Sequence, residues 1–203
     1  MSSHHFVKEQ QEPAVVILDV KGFDWDQISG LFEWVPTVLV AEPAVEQVLS
    51  WGIKIDVILA SAAFQKENTY LLEEQYPLRF LESENDEFAK DALHYLMASD
   101  HRAAHLVGFE ISYYEDLSLF MEKMDVCIFN QARKYFPVKS GDLKKWYPKG
   151  ELELFGQKGQ SVRIENQEGV QEQFLNPSSA FHTQEGLSHF YSEKLFWIGE
   201  PLA

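Results

Sequence analysis

Cysteine is almost missing from this 203-residue chain: Cys127 stands alone, so no internal disulfide can form. Its place in the apolar run Asp125-Val126-Cys127-Ile128-Phe129 marks it as a buried, inert thiol rather than a nucleophile. A single thiol fits a reducing cytosol. No apolar run approaches the roughly 18 residues that a membrane-crossing helix needs, and the polar stretch from Met1 to Gln11 carries no targeting pattern, so a cytoplasmic protein is expected. Basic residues are scarce, with 17 Lys and Arg against 32 Asp and Glu and a formal net charge of −15. A field of that sign repels phosphate backbones and anionic headgroups, which excludes non-specific nucleic-acid and membrane-surface binding. Neither the Gly-rich dinucleotide turn nor the phosphate-binding loop with its lysine occurs. What remains is 45% hydrophobic, enough to bury a core in one large domain or two small ones.

From Ala14 to Asn130 short β-branched runs alternate with stretches of helical period, the pattern of a parallel sheet covered by crossover helices. The runs Ala14 to Asp19, Thr37 to Ala41, Ile55 to Ala60, Ala104 to Gly108 and Asp125 to Phe129 read as strands, with a weaker one around Leu78 to Leu81. Helices are expected from Trp25 to Trp34 behind a capping Asp24, from Pro43 to about Trp51, from Asp86 to Ala98 and from Tyr113 to Lys123. Trp25, Trp34 and Trp51 fall on the helical faces and read as core. After Pro137, turn signals such as Ser140-Gly141-Asp142, Tyr147-Pro148-Lys149-Gly150 and Asn176-Pro177-Ser178 separate short alternating runs. Those runs predict antiparallel strands with one wet face. The expected fold is therefore α/β: a Rossmann-like parallel sheet with helices on both faces over residues 1–137, followed by a small antiparallel β-sandwich over 138–203. The acid is concentrated in the first part, which carries a net −13 against −2 in the second.

In an open parallel sheet, ligands sit where the loops leave the carboxyl ends of the strands. That rule selects Glu42-Pro43-Ala44, Ala60 to Phe64, Glu82 to Glu87 and Phe109 to Asp116. A magnesium-bound nucleotide needs paired carboxylates and phosphate-binding amides or cations. These segments supply them poorly, since Ser61 to Ala63 offers one hydroxyl and no charge.

The stretch Val38-Leu39-Val40-Ala41-Glu42-Pro43-Ala44, then Gly52-Ile53-Lys54-Ile55-Asp56 and Val57-Ile58-Leu59, resembles the thiamin pyrophosphokinases. In that family a strand ends in Ala-Asp-Gly-Gly, and a later Gly-Ile-x-Pro-Asp leads through a second strand into Gly-Asp-x-Asp-Ser. Gly108 falls where the family opens its Gly-Gly-Arg-x-Asp-His segment, and Glu185-Gly186-Leu187-Ser188-His189 is similar to its Gly-Ile-Ser-Asn near the thiamin pocket. The resemblance implies transfer of pyrophosphate from ATP to thiamin, with magnesium held by aspartates of the α/β domain and thiamin bound beside the β domain of a homodimer. On it, Glu42, Asp56, Asp86 and Asp116 take catalytic positions. Ser61, Gly108, Tyr113 and Glu115 take nucleotide-binding positions, Ser188 and His189 take the substrate pocket, and no metal ligand is assigned. The departures are large: Ala60-Ser61-Ala62-Ala63-Phe64 replaces the metal motif, Tyr113 replaces the arginine, and Glu115-Asp116 replaces Asp-His. Only Gly52, Asp56 and Gly108 match outright.

An alanine methyl cannot coordinate magnesium, and losing such a clamp costs several kcal/mol in a phosphoryl-transfer transition state, with each ~1.4 kcal/mol worth tenfold in rate. The expectation is a thiamin pyrophosphokinase-like protein with weak or lost catalysis and a residual ligand-sensing or partner-binding role, needing no cofactor. The alternative is a working kinase that uses magnesium and ATP through Glu42, Asp86, Glu115 and Asp116 as displaced ligands. Thiamin or a related heteroaromatic is the expected small-molecule partner in either case. Several residues stay open between two readings. The acids are replacement ligands or solvated helix-start charges, and Asp56 is catalytic or a structural hydrogen-bond acceptor. His101 and His105 are a metal pair or unrelated, and Tyr113-Tyr114 is a face for a cationic ring or packing. The aromatics Phe181, His182, His189, Phe190, Tyr191 and Trp197 are pocket or core.

Overall fold

The computed structural model describes residues 12–84, 87–130 and 132–202. The chain divides into two compact units at Gln131 and Ala132.

The first unit is built on six parallel strands: β1 (Ala14–Ile17), β2 (Val38–Ala41), β3 (Val57–Ala60), β4 (Arg79–Glu82), β5 (Ala103–Val107) and β6 (Asp125–Asn130). Their spatial order is β6-β5-β1-β2-β3-β4. Every residue of β1, β2 and β3 is buried, which is why these runs are continuously apolar: a parallel strand is covered on both faces. β4 closes one edge and is more exposed, and it accordingly begins with Arg79 and ends with Glu82. The chain steps outward from β1 to β4, then returns to place β5 on the other side of β1. The strand order therefore reverses at β1 and β5.

Helices fill the crossovers. They are α1 (Trp25–Ile28), α2 (Val45–Ser50), α3 (Ala62–Glu67), α4 (Leu71–Glu74), α5 (Phe88–Ala98) and α6 (Ser118–Met121), with 3-10 turns at Ser29–Phe32, Glu42–Ala44 and Ile111–Leu117. α5 buries Ala92, Leu93 and Leu96 and packs against β1 and β3. The helix expected to run on to Trp34 stops at Ile28. The chain there tightens into a 3-10 turn, and Val35 takes a left-handed φ of 52°. Trp34 is consequently 73% exposed and is not core. Trp25 stands 5.5 Å from Phe32 and 5.8 Å from Trp51, ring to ring.

The second unit is all antiparallel: β7 (Arg133–Val138), β8 (Asp142–Tyr147), β9 (Gly150–Phe155), β10 (Ser161–Asn166), β11 (Gly169–Phe174), β12 (Ser178–Thr183), β13 (Gly186–Tyr191) and β14 (Phe196–Pro201). Four strands lie in the order β12-β9-β14-β7 and four in the order β11-β10-β13-β8. The two layers share a core in which Phe181 and Phe190 meet edge to face at 5.6 Å, around Leu154, Ile164, Phe196 and Ile198. Arg133 to Pro137, assigned to the α/β part by sequence texture, lies in β7 and pairs with β14. This shift of boundary sharpens the charge division: residues 132–203 hold nine basic and nine acidic groups, so the whole net charge of −15 belongs to the first unit.

Candidate functional site

The carboxyl ends of the parallel strands all point to one edge of the first unit, and three pockets open there. After β2, β3 and β4 a pocket of about 440 Å³ is lined by Glu42, Ser61, Glu82 and Glu84, with Pro43, Ala62 and Phe88 as apolar wall. After β5, a pocket of about 250 Å³ is bordered by Tyr113, Asp116, Lys90, Glu87 and Phe109. After β1, one of about 310 Å³ has Phe23, Trp25 and Trp51 beside Lys21, Asp24 and Gln47.

Glu42 and Ser61 meet in the first of these. Both the amide and the hydroxyl of Ser61 donate to Oε2 of Glu42, each at 2.9 Å. The same hydroxyl accepts from the Phe64 amide at 3.3 Å and caps α3. The carboxylate is thus spent on tying the loop after β3 to the loop after β2. A magnesium ion needs several oxygens in near-octahedral array, and among the described residues no three acidic, histidine or cysteine side chains are placed to hold a metal. Among the described residues the pocket is lined by three carboxylates and no basic side chain, which repels a bare triphosphate. Magnesium and ATP do not fit the residues present here.

The second pocket brings Tyr113 and Asp116 together. Tyr113 is 62% exposed, whereas Tyr114 turns inward, where burial, and next Glu115, push its hydroxyl above the ordinary tyrosine range. Glu115 accepts from that hydroxyl at a long 3.5 Å. Lys90 was not singled out by sequence; it donates to Glu87 at 3.0 Å. That hydrogen bond, with the charges of Glu87 and Asp116, raises its pKa. The spacing of Glu87 and Lys90 at the start of a periodic helix was the signal that could have found it.

Gly108 lies at the strand-order reversal. Its φ is +80°, and a Cβ there would stand 2.2 Å from the Asp19 carbonyl oxygen, so the chain ends of β1 and β5 touch only because the residue is glycine. Asp56 lies at the opposite, amino edge of the sheet, preceding β3, where its carboxylate accepts from the Val38 amide at 2.9 Å. It does not join the crevice residues. Asp86 is outside the described residues. His101 and His105 make no pair: His101 Nε2 is 3.0 Å from the Thr37 hydroxyl, and the His105 ring stands edge-on to Phe129.

Ser188 and His189 belong to the second unit and face opposite sides of β13. His189 Nε2 is 3.1 Å from Asp142 Oδ2 on the outer face. Ser188 points inward, 1% exposed, and its hydroxyl has no hydrogen-bond partner among the described residues. The Tyr147 hydroxyl is likewise buried and unpartnered. Burial, reinforced by nearby Glu200, drives its pKa upward although no hydrogen bond of proper geometry forms. Lys145 is ion-paired to Glu200 and stands over the Phe136 and Tyr147 rings.

Compared whole with solved structures, the chain superposes on the yeast thiamin pyrophosphokinase with a TM-score of 0.69, over 95% of this chain and 87% of that one, at 8% identity. The thiamin pyrophosphokinase of Candida albicans gives 0.68 over 96% and 90%, at 10% identity. That of Geobacillus thermodenitrificans gives 0.64 over 93% and 96%, also at 10%. The chain has the thiamin pyrophosphokinase fold. No family model and no curated protein sequence matches it, so the thiamin pyrophosphokinase architecture is kept across both units while side-chain identity is almost gone.

Proposed function

We propose that this protein keeps the thiamin pyrophosphokinase scaffold as a ligand-sensing or partner-binding module and has lost, or nearly lost, pyrophosphate transfer. The observation that carries the reading is the engagement of Glu42 by Ser61: the acid at the family's first aspartate position serves as a loop clamp, and the described residues around it hold no cation for phosphate. The first unit then acts as a nucleotide-domain relic and the second as the ligand-facing part. Thiamin, or a related heteroaromatic, is the proposed ligand. Its support is the pair of buried, unpartnered hydroxyls of Ser188 and Tyr147, because buried polar groups without partners are rare and call for one. The assembly proposed is a homodimer, which sedimentation equilibrium measures directly.

The decisive assay is AMP release from magnesium-ATP with thiamin. The expected result is no turnover above background, together with a thermal shift from thiamin that Ser188→Ala diminishes. Turnover above background that falls on Glu42→Gln overturns the reading. It would favour a working kinase, for which the nearness of Lys90 and Asp116 in the pocket after β5 is the supporting observation.

A further inference from the structure

Away from both regions, the second unit carries a pocket of about 510 Å³ where the turn between β9 and β10 meets the segment after β13. That volume falls in the range of small-molecule sites, roughly 300–1,000 Å³. Its floor is built from buried polar groups. The Gln160 amide donates to Ser192 Oγ at 3.0 Å and to the Lys194 and Leu195 carbonyls at 3.1 Å, while its oxygen accepts from the Gln157 amide at 3.0 Å. Ser192 Oγ in turn donates to the Ser161 carbonyl at 2.8 Å. Two glycines let this floor close. A Cβ on Gly156 would lie 2.7 Å from Gln160 Oε1, and one on Gly141 would lie 2.0 Å from the Ser192 carbonyl oxygen. The pocket is therefore set before anything enters it, which lowers the entropic cost of binding.

Its walls combine charge with a ring. Arg163 lies directly opposite Tyr191 in the β10–β13 register, so the two side chains share one face. On its other side Arg163 opposes Glu172, yet Glu172 accepts from the Ser161 hydroxyl, and Arg163 makes no ion pair among the described residues. Lys158 and Lys194 complete the cationic rim, with Lys194 Nζ on Gln157 Oε1 at 3.0 Å. Glu193 is the second carboxylate, so cations outnumber acids here by one, in a protein that is otherwise strongly acidic.

We propose that this pocket binds a small planar molecule bearing a phosphate group, a site separate from the crevice of the first unit and independent of the function proposed above. A guanidinium fork matches phosphate oxygens two at a time. Lys158 and Lys194 add charge, and the Tyr191 ring offers a flat apolar wall to the body of the ligand.

The test is a ¹H–¹⁵N NMR titration of the full chain with phenyl phosphate, inorganic phosphate and phenol. Phenyl phosphate is expected to bind most tightly, to shift the Gln160 and Arg163 amides, and to lose about tenfold in affinity in Arg163→Gln. Tyr191→Ala is expected to bring it down to the level of inorganic phosphate, and Glu42→Gln to leave it unchanged. No saturable shift below about 10 mM, or equal affinity in Arg163→Gln, overturns the site. Inorganic phosphate binding as tightly as phenyl phosphate overturns the planar ligand.

Discussion

Asp56 holds Val38 twice: its carboxylate accepts the Val38 amide at 2.9 Å, and its own amide donates to the Val38 carbonyl at 3.0 Å. Its carbonyl also accepts from Arg79, so one residue sets the register of β2, β3 and β4 at their amino ends. Asp56→Ala is expected to lower stability by about 1–3 kcal/mol, the range for a part-buried charged hydrogen bond. Urea unfolding measures it, and ligand binding at the far edge should stay unchanged.

Gly108→Ala is expected to be worse. The new methyl meets Asp19 backbone, which cannot move aside as a flexible side chain would, and the φ of +80° is itself unfavourable for alanine. A loss of about 2–4 kcal/mol is expected in the same measurement. By contrast, Gly22→Ala, with a φ of +81° but open space around it, should cost about 1 kcal/mol.

His101 makes stability depend on pH. Burial lowers its pKa below the usual 6.5, and the Leu96 and Ser99 carbonyls oppose the shift only in part. The unfolded chain then binds the proton more readily than the folded one, so stability is complete above pH 6.5 and falls as the pH drops from there through the lowered folded value. Urea midpoints at pH 7.5 and 5.5 should differ more for the wild type than for His101→Gln. Equal slopes for the two would remove His101 from the cause.

Magnesium should leave the melting temperature unchanged. A ligand stabilises only through its affinity for the folded state, and Glu42 is already satisfied by Ser61. Glu42→Gln keeps an acceptor for Ser61 and is expected to cost only about 1 kcal/mol. A magnesium-dependent rise in melting temperature that Glu42→Gln removes would show that the clamp opens for the ion.

The continuous apolar runs of β1, β2 and β3 made the parallel sheet legible, because burial on both faces leaves no other composition. Other elements left weaker traces. α3 and α4 are too short to show a period of their own and depend on packing. Pro137 reads as a strand breaker yet lies within β7, opposite Trp197. At the crevice, Glu42 and Ser61 were found because the carboxyl-end rule points to loops rather than to particular side chains. Their mutual hydrogen bonds were not visible, since nothing in two segments some twenty residues apart states a distance. The Gln160 pocket was hidden for the same reason: its floor joins residues 157–161 to 192–195 only through antiparallel pairing that spacing does not announce.

The positions of the tryptophans give the molecule a spectroscopic division. Trp34 and Trp146 are open to solvent, while Trp197 is wholly enclosed in the second unit. Collisional quenchers such as acrylamide should act most on Trp34 and Trp146 in the native state, less on the half-buried Trp25 and Trp51, and least on Trp197, whose emission should be the most blue-shifted. The loss of that shielded component on denaturation reports the opening of the β-rich half without any added dye.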